Sequence, residues 1–330
     1  MKTLLVMTGL AAAALCAETP RAALLVLAKT DLTLSIVDPA SLKVVARMPS
    51  GPDPHEVAAS SDGRFAYISN YGGGAYHTLT VVDLVAQKTL HAVDLGALWG
   101  PHGLMFAGGK VWFTAEAAKV AGSYDPSAKK VDWIMGTGQD GTHMIHVFEG
   151  GQRIATSNMR SGTMSIFEKA RANRRRGAPG GEWEQTVIPA GRGVEGFDVT
   201  PDGRELWSAS AQEGTIAVID VESKRVVQTI AGDVKGANRL KFTPDGKHVF
   251  VSTLGGPEVV ILDAAARRVI KRLKTGRGAA GMQMQPDGKR AYVSCTPDNY
   301  VAVVDLHTLE IVGKFEVGRE PDGLAWAERP

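Results

Sequence analysis

The most constraining feature of this chain is a repeated segment in which a tight turn leads into a short alternating strand. Four copies are nearly superimposable: "SSDGRFAYIS", "TPDGRELWSA", "TPDGKHVFVS" and "QPDGKRAYVS". An Asp-Gly pair readily adopts the positive-φ geometry of a tight hairpin, and alternation of apolar and polar residues is typical of a half-buried strand. A chain built from such units must bury its apolar faces between neighbouring copies.

A second periodic signal sets the number of units. Seven short apolar runs each end in an acidic residue, and these acids recur at intervals of 42 to 52 residues: Asp38, Asp83, Asp125, Glu168, Asp220, Asp263 and Asp305. Seven units of about 43 residues, with four short strands each, predict an all-β fold, a seven-bladed β-propeller. The longest interval contains "KARANRRRGAPGG", which we interpret as an insertion between two outer strands of the fourth blade.

The two ends of the chain together supply one blade. The last unit, "EPDGLAWA", has an inner strand but no successor, whereas "RAALLVLAKT" near the N-terminus lacks an inner strand. Pairing the N-terminal strands with the C-terminal inner strand closes the ring and leaves no unpaired blade edge inside it. We therefore predict one propeller domain over residues 18–330.

The first residues have the composition of a secretory signal. The segment "MKTLLVMTGLAAAALCAETP" begins with Lys2, continues with an apolar stretch over residues 4–15 and has small residues around Ala17. We predict a signal peptide over residues 1–17, an exported periplasmic or extracellular protein, and no transmembrane segment. Cleavage leaves Cys295 as the remaining cysteine, which we interpret as a buried apolar residue. Lipidation of Cys16 is a weaker alternative, because the preceding residue is leucine.

The repeats also resemble a known family. The segments "PDGKHVFVST" and "PDGKRAYVSC", together with "GTIAVIDVESKRVVQTI", resemble the YVTN family of β-propeller repeats over residues 22–327. One blade, "GPHGLMFAGGKVWFTAE", is similar to the repeat of streptogramin lyases, which are metal-dependent propellers. The YVTN resemblance implies the propeller fold and leaves function open, because such propellers include binding proteins, enzymes and cell-surface proteins.

One residue in each blade stands where the inner strand begins at the top face of the propeller. Aligning the repeats on their turns gives His55, His102, His143, Glu195, Asn238, Ala280 and Asp322. Six of these seven residues are polar, whereas the residue two positions later is apolar in every blade. This change from polar to apolar predicts a polar channel mouth above an apolar interior.

The candidate ligand-binding residues combine this ring with its neighbours and with loops on the same face, because loops on a rigid scaffold often carry function. They are His55, Glu56, Asn70, Tyr71, His102, His143, Asn158, Glu195, Asn238, Arg239 and Asp322, with Glu116 and Arg160 as further loop candidates. The alternative is that the ring only keeps the mouth hydrated, and that Asn70 and Asn158 are turn residues.

A divalent metal ion is a candidate cofactor, because imidazole and carboxylate groups are the ligands that such ions take in proteins. The candidate ligands are His55, His102, His143 and Glu195. We exclude His146, because a residue three positions after His143 in a strand points to the opposite face.

Two functions therefore remain open. The first is an exported, monomeric scaffold that binds a small ligand, a metal ion or a protein partner at the channel mouth. The second is a metal-dependent propeller enzyme of the lyase or lactonase type, with His102 or His143 as base and Glu195 as metal ligand or acid. With 37 basic and 35 acidic residues the charge is nearly balanced, and we expect no nucleic-acid partner. The basic run "RANRRRG" is typical of a solvated loop.

Overall fold

The computed structural model describes residues 18–170 and 183–330, and the structural statements below concern these residues. The predicted signal peptide, residues 1–17, lies outside them, as does the basic run at residues 174–176. No helix in the described ranges is long and apolar enough to span a bilayer.

Twenty-eight β-strands make up nearly all of the regular structure. In chain order they are β1 (Ala22–Ala28), β2 (Thr33–Asp38), β3 (Lys43–Pro49), β4 (Pro54–Ala59), β5 (Phe65–Asn70), β6 (Thr78–Asp83), β7 (Lys88–Asp94), β8 (Pro101–Ala107), β9 (Lys110–Ala115), β10 (Val120–Asp125), β11 (Lys130–Gly136), β12 (Thr142–Val147), β13 (Arg153–Asn158), β14 (Thr163–Lys169), β15 (Trp183–Pro189), β16 (Val194–Val199), β17 (Glu205–Ser210), β18 (Thr215–Asp220), β19 (Arg225–Ala231), β20 (Ala237–Phe242), β21 (His248–Thr253), β22 (Glu258–Asp263), β23 (Arg268–Lys274), β24 (Ala279–Met284), β25 (Arg290–Cys295), β26 (Tyr300–Asp305), β27 (Glu310–Phe315) and β28 (Pro321–Glu328). Short 3-10 helices span Gly72–Gly74, Glu149–Gly151 and Thr296–Asp298.

These strands form seven four-stranded antiparallel sheets arranged as a ring, which confirms the predicted seven-bladed propeller. Blade 1 consists of β28, β1, β2 and β3, from the channel outward. Blades 2 to 7 take the other strands in chain order, four to a blade with the innermost strand first. The innermost strands of successive blades contact one another around the central channel.

The ring closes as the two chain ends predicted. Strand β1 pairs antiparallel with β28, so that Leu24 lies opposite Trp326 and Val26 lies opposite Leu324. The backbone amide of Arg329 also donates a hydrogen bond to the carbonyl of Arg21 at 2.9 Å. Residues some 300 positions apart thus form one sheet, and β1 has a partner strand along both of its edges.

Apolar side chains from alternate strand positions fill the space between neighbouring blades. Between blades 1 and 2, for example, Leu25 and Ile36 pack in one cluster with Val57 and Ile68, and all four are 5% exposed or less. Each such side chain contributes about 1.5–3 kcal/mol when it is buried. Cys295 belongs to the equivalent cluster of blade 7, and burial raises the pKa of its thiol to about 11, as expected for an inert core cysteine.

The position after the aligned channel-mouth residue, counted here as the second position of the inner strand, is glycine in several blades and lets adjacent blades meet closely. A Cβ atom on Gly281 would lie 1.9 Å from the carbonyl oxygen of Asp322, and one on Gly196 would lie 2.3 Å from that of Asn238. The same holds for Gly323, 2.3 Å from the carbonyl of His55. At these positions the close approach of two backbones leaves no room for a side chain.

Candidate functional site

The seven ring residues converge on one cavity at the top of the channel. This cavity, called here the mouth, has a volume of about 480 Å³. Its walls include His55, His102, His143, Glu195, Asn238, Ala280 and Asp322, one from each blade. Repeat alignment therefore placed all seven on a common opening, and their role in ligand binding stays a prediction.

A backbone irregularity at the start of each inner strand aims these side chains into the channel. In blade 2, Pro54 pairs with Asn70 and Val57 pairs with Ile68, so β4 carries one residue more than β5 over the same length. Equivalent register shifts occur in blades 3 to 7, and β1 shifts against β28 near the same level. A β-bulge re-aims a side chain at the rim of a sheet, which is how the ring residue leaves the blade and faces the mouth.

The three histidines stand side by side on adjacent blades. The ring centroids of His102 and His143 are 3.8 Å apart in a stacked arrangement, and those of His55 and His102 are 5.0 Å apart. Tyr71 presents its ring edge to both His55 and His102, at 4.9 and 5.0 Å. Four rings thus form a continuous aromatic wall on one side of the mouth.

The stacked pair has unlike protonation states. Burial lowers the pKa of His102 well below its ordinary value, and the neighbouring charge of His143 lowers it further. Burial also acts to lower the pKa of His143, but hydrogen bonds with Glu116 and Glu195 outweigh it and raise that pKa to about 9. At neutral pH a neutral imidazole therefore stacks on a protonated one.

Two carboxylates hold the protonated ring. The Nδ1 atom of His143 donates to Glu116 Oε2 at 3.1 Å, and its Nε2 atom lies 3.3 Å from Glu195 Oε1. Arg160 reaches the other oxygen of Glu116 at 2.5 Å. Burial acts to raise the pKa of both carboxyls, but the contacts with His143 outweigh it and keep them ionised.

A second polar cluster adjoins the aromatic wall, around Lys29. Its Nζ atom is 3.0 Å from His55 Nε2 and 3.4 Å from Asp322 Oδ2. Burial, followed by the charge of Lys29, lowers the pKa of His55 to about 4. Burial raises the pKa of Asp322 to about 6, against the opposing effect of Lys29 and Arg239. Sequence reasoning missed Lys29, because it follows β1 in the blade that both chain ends share.

The mouth also has apolar residues in its lining. They are Met159, Leu254, Ala280 and Pro297, and Gly278 and Thr296 line it as well. Leu254 is 48% exposed, although it is a large aliphatic residue. Ala280 was one of the seven aligned residues, whereas nothing in the repeat pattern singled out the others.

Two predicted binding residues, Asn70 and Asn158, do not line the mouth. Asn70 is fully buried, donates to the carbonyl of Ser50 at 3.0 Å and accepts from Thr80 Oγ1 at 2.8 Å. Asn158 is equally buried, accepts from Thr142 Oγ1 and donates to Ser165 Oγ at 2.9 Å. Both amides join strands within their own blade. Each residue is the last of its strand and neither has a positive φ, so they are not left-handed turn residues either.

Glu56 and Arg239 lie one level below the ring. Arg239 lines the mouth and forms an ion pair with Glu56, and its Nη1 atom is 3.4 Å from Glu195 Oε1. The Arg239 and Glu56 side chains are only 7% and 11% exposed. Glu56 borders a second cavity beneath this pair, called here the lower chamber, instead of the mouth.

His146, which was excluded as a metal ligand alongside His143, lines a different cavity from His143, although its side chain also faces the channel. It lines the lower chamber, at about 320 Å³, whereas His143 lines the mouth. The strand-period argument failed because the bulge between Thr142 and Ile145 adds one residue and shifts the alternation.

The predicted metal ligands do not form a ready coordination sphere. In the part of the chain that the structure describes, no group of three or more His, Cys, Asp or Glu side chains is arranged to hold a metal ion. Both ring nitrogens of the protonated His143 face carboxylates, Nδ1 bonding to Glu116 and Nε2 lying 3.3 Å from Glu195 Oε1, so it has no free lone pair for a metal. Metal binding by His55, His102, His143 and Glu195 stays a prediction, which elemental analysis of the purified protein checks.

No protein-family model and no curated protein matches this chain. Among solved structures, it is similar to a proposed 6-phosphogluconolactonase from Bacteroides fragilis, with a TM-score of 0.73 and 15% identity over 94% of this chain and 99% of that one. It is also similar to hydrazine synthase from Kuenenia stuttgartiensis, with a TM-score of 0.67 and 20% identity over 82% and 88% of the two chains. A third is dihydro-heme d1 dehydrogenase NirN, with a TM-score of 0.64 and 16% identity over 92% and 74%.

These likenesses show a shared β-propeller fold. At identities of 15 to 20% they do not carry an activity from the neighbours to this chain, and no family match supports the YVTN resemblance. Function therefore has to be argued from the mouth itself.

Proposed function

We propose that the protein binds a small, neutral, hydroxyl-rich molecule at the mouth of its channel. The observation that carries the proposal is a set of unsatisfied polar atoms. His102 Nδ1, Asn238 Oδ1 and His143 Nε2 are buried at the mouth and have no hydrogen-bond partner among the described residues, although His143 Nε2 lies 3.3 Å from Glu195 Oε1. A buried polar atom without a partner costs about 1–3 kcal/mol, so such atoms persist where water or a ligand meets them.

The charges of the mouth favour a neutral ligand. Lys29 is paired with Asp322, Arg239 with Glu56 and Glu195, and His143 with Glu116 and Glu195. Every charged side chain that lines the cavity thus has a partner of opposite sign, and a charged ligand would have to displace one. Hydroxyl groups instead donate to Asn238 Oδ1 and exchange hydrogen bonds with the neutral imidazole of His102.

The mixed walls of the mouth further define the ligand. Polar groups and aromatic rings line it together with Met159, Leu254 and Pro297. A sugar-like ring has hydroxyls at its edge and C–H groups on its faces, and it matches both kinds of lining residue. The volume of about 480 Å³ suits a molecule of monosaccharide size. Export by the N-terminal segment is part of this proposal, because such a ligand would then be met outside the cytoplasm.

The test is titration of the purified protein with D-glucose, methyl β-D-glucopyranoside and D-glucono-1,5-lactone, followed by saturation-transfer NMR. We expect Asn238→Leu and His102→Phe each to weaken binding about fivefold or more, the worth of one neutral hydrogen bond. His91→Phe, on an exposed outer strand, is the matched control and should bind as the wild type does. Absence of binding by all three probes, or equal binding by all variants, contradicts the proposal.

A second candidate is acid–base catalysis, which the His102–His143 stack favours. A neutral imidazole that takes a proton from water lies 3.8 Å, centroid to centroid, from a protonated one that gives a proton to a leaving oxygen. In lactone hydrolysis, water adds to the carbonyl carbon, the ring C–O bond breaks and the alkoxide takes up the proton. Hydrolysis of D-glucono-1,5-lactone above the spontaneous rate, lost in His102→Phe, would support it. If the wild type hydrolyses the lactone no faster than the spontaneous reaction, catalysis is refuted and only the binding proposal remains.

A further inference from the structure

The channel is divided into two separate cavities. The mouth above has a volume of about 480 Å³ and the lower chamber about 320 Å³. Arg239 is the one residue, among those described, that lines both. Its ion pair with Glu56 joins blades 6 and 2, so the two side chains span the channel from nearly opposite sides. The Arg239–Glu56 pair thus forms the boundary between the mouth and the lower chamber.

An apolar belt encircles the chamber. Six of the seven residues predicted to be apolar at the third inner-strand position line it: Val57, Leu104, Ile145, Phe197, Met282 and Leu324. The seventh, Leu240, is fully buried within its blade cluster. Met105 and Met144 also line the chamber. Such a belt suits an apolar body, and the flexible methionines adapt to its shape.

The lower end of the chamber is polar and carries one unused donor. His146, Asp198, Lys241 and Gln283 line it. Asp198 and Lys241 oppose each other, with Oδ1 and Nζ 3.9 Å apart, so they leave no net charge. The side chain of Gln283 donates to the carbonyl of Met284 at 2.7 Å. His146 makes no hydrogen bond with any described residue, although burial keeps its imidazole neutral and lowers its pKa to about 4. The side chain of Lys241 is 36% exposed, so this end communicates with solvent.

We propose that the lower chamber is a second binding site, for a small neutral molecule with an apolar body and a single hydroxyl or carbonyl group that contacts His146. The apolar belt surrounds the body, and the imidazole supplies one hydrogen bond. The Arg239–Glu56 pair seals this site from the mouth, so that its guest enters from the lower end. The proposal stands apart from sugar binding, because the two cavities share only Arg239.

The probe for this site is 4-fluorophenol, a neutral ring with one hydroxyl, observed by its ¹⁹F NMR signal. We expect saturable binding to the wild type, weakened about fivefold in His146→Phe, which keeps the bulk of the ring but removes its nitrogen atoms. Fluorobenzene, which lacks the hydroxyl, should bind the wild type and His146→Phe about equally. Met282→Trp should abolish binding of both probes by filling the chamber.

The controls separate this site from the mouth and from loss of folding. Asn238→Leu, at the mouth, should leave the affinity for 4-fluorophenol unchanged, and D-glucose should not displace the probe. Ala325→Leu is a milder filling variant, in case Met282→Trp fails to fold, and circular dichroism verifies the structure of each. Failure of 4-fluorophenol to bind, binding unaffected in a folded filling variant, or displacement by D-glucose would overturn the proposal.

Discussion

His143 carries the most unusual electrostatic environment of any residue at the mouth. It is buried against neutral His102, yet two carboxylates keep it protonated and raise its pKa to about 9. A group whose pKa is higher in the folded state than in the unfolded state stabilises the fold below its unfolded value, here about 6.5, and loses that effect as the pH rises through about 9.

We therefore expect the free energy of unfolding to fall between pH 6.5 and 9.5 in the wild type, by on the order of 3 kcal/mol from this residue. In His143→Gln this part of the pH dependence disappears, because the variant has no proton to lose. Urea unfolding at a series of pH values measures the difference, and His91→Gln is the surface control. An NMR titration that shows His143 deprotonating near pH 6.5 or below would refute the assignment.

At the scale of single residues, the sequence predicted which side chains face the mouth better than it predicted their hydrogen-bond partners. Repeat alignment placed His55, His102 and His143 on one opening, because the same strand position recurs in every blade. It did not show that the Asn70 side chain is buried and donates a hydrogen bond to the carbonyl of Ser50. The sequence of an asparagine near a loop is the same whether its amide faces solvent or bonds to the backbone. The repeat alignment did not identify Lys29 for a different reason: its blade is formed from both chain ends and contains no complete repeat.

Among the structural elements, the inner strands are the ones that the chain specifies most strictly. Their second position is glycine in blades 3, 5 and 7 and again in blade 1, where the next blade's backbone comes within 1.9–2.5 Å of the place a Cβ atom would take. Overpacking at such a contact forces backbone shifts in two blades at once.

Gly281→Ala should accordingly destabilise the protein by about 3 kcal/mol. The matched control is Gly313→Ala in the outer strand β27, where the added Cβ atom would meet only Leu42 Cδ1, at 3.7 Å. That variant should be neutral or stabilising by about 0.5 kcal/mol, since alanine restricts the unfolded chain. Chemical denaturation of both variants gives the comparison, and equal stabilities would show that the inner strands tolerate separation.

Strand positions followed from the Asp-Gly turns and the alternating runs, so the element order was predictable. The bulges at the start of the inner strands were not, because a bulge changes hydrogen-bond register without a fixed residue signature. That single missing detail explains the misplacement of His146, whose direction depends on the bulge after Thr142.

For the whole molecule, the pairing of β1 with β28 is the feature on which the closed ring depends. Deletion of residues 321–330 removes β28 and uncovers Leu24 and Val26, which are fully buried in the intact blade. We expect the truncated chain to lose its single cooperative unfolding transition and to aggregate, as judged by calorimetry and size-exclusion chromatography.

A circular permutant is the control for this deletion. A short linker can join the two ends, because Arg21 and Arg329 are already hydrogen-bonded, and new ends can be opened in the loop between Gly255 and Gly256. The permutant keeps every strand and should fold to a ring of similar stability. A truncated chain as stable as the permutant would show that closure contributes little.

Closure itself was predictable, because two incomplete repeats at the ends add up to one blade. The cross-channel pair of Arg239 and Glu56 was not, since residues 183 positions apart meet only through the diameter of the assembled ring. Contacts across the channel depend on the blade number and on side-chain length together, and no local pattern encodes them.

The first blade, which both chain ends share, also constrains when the ring can close during synthesis. Strand β1 leaves the ribosome among the earliest segments, yet its inner partner is among the last to be made. The ring of the nascent chain therefore cannot close until translation is almost finished. The first blade to begin is thus the last to be completed, and closure of the ring follows the synthesis of β28.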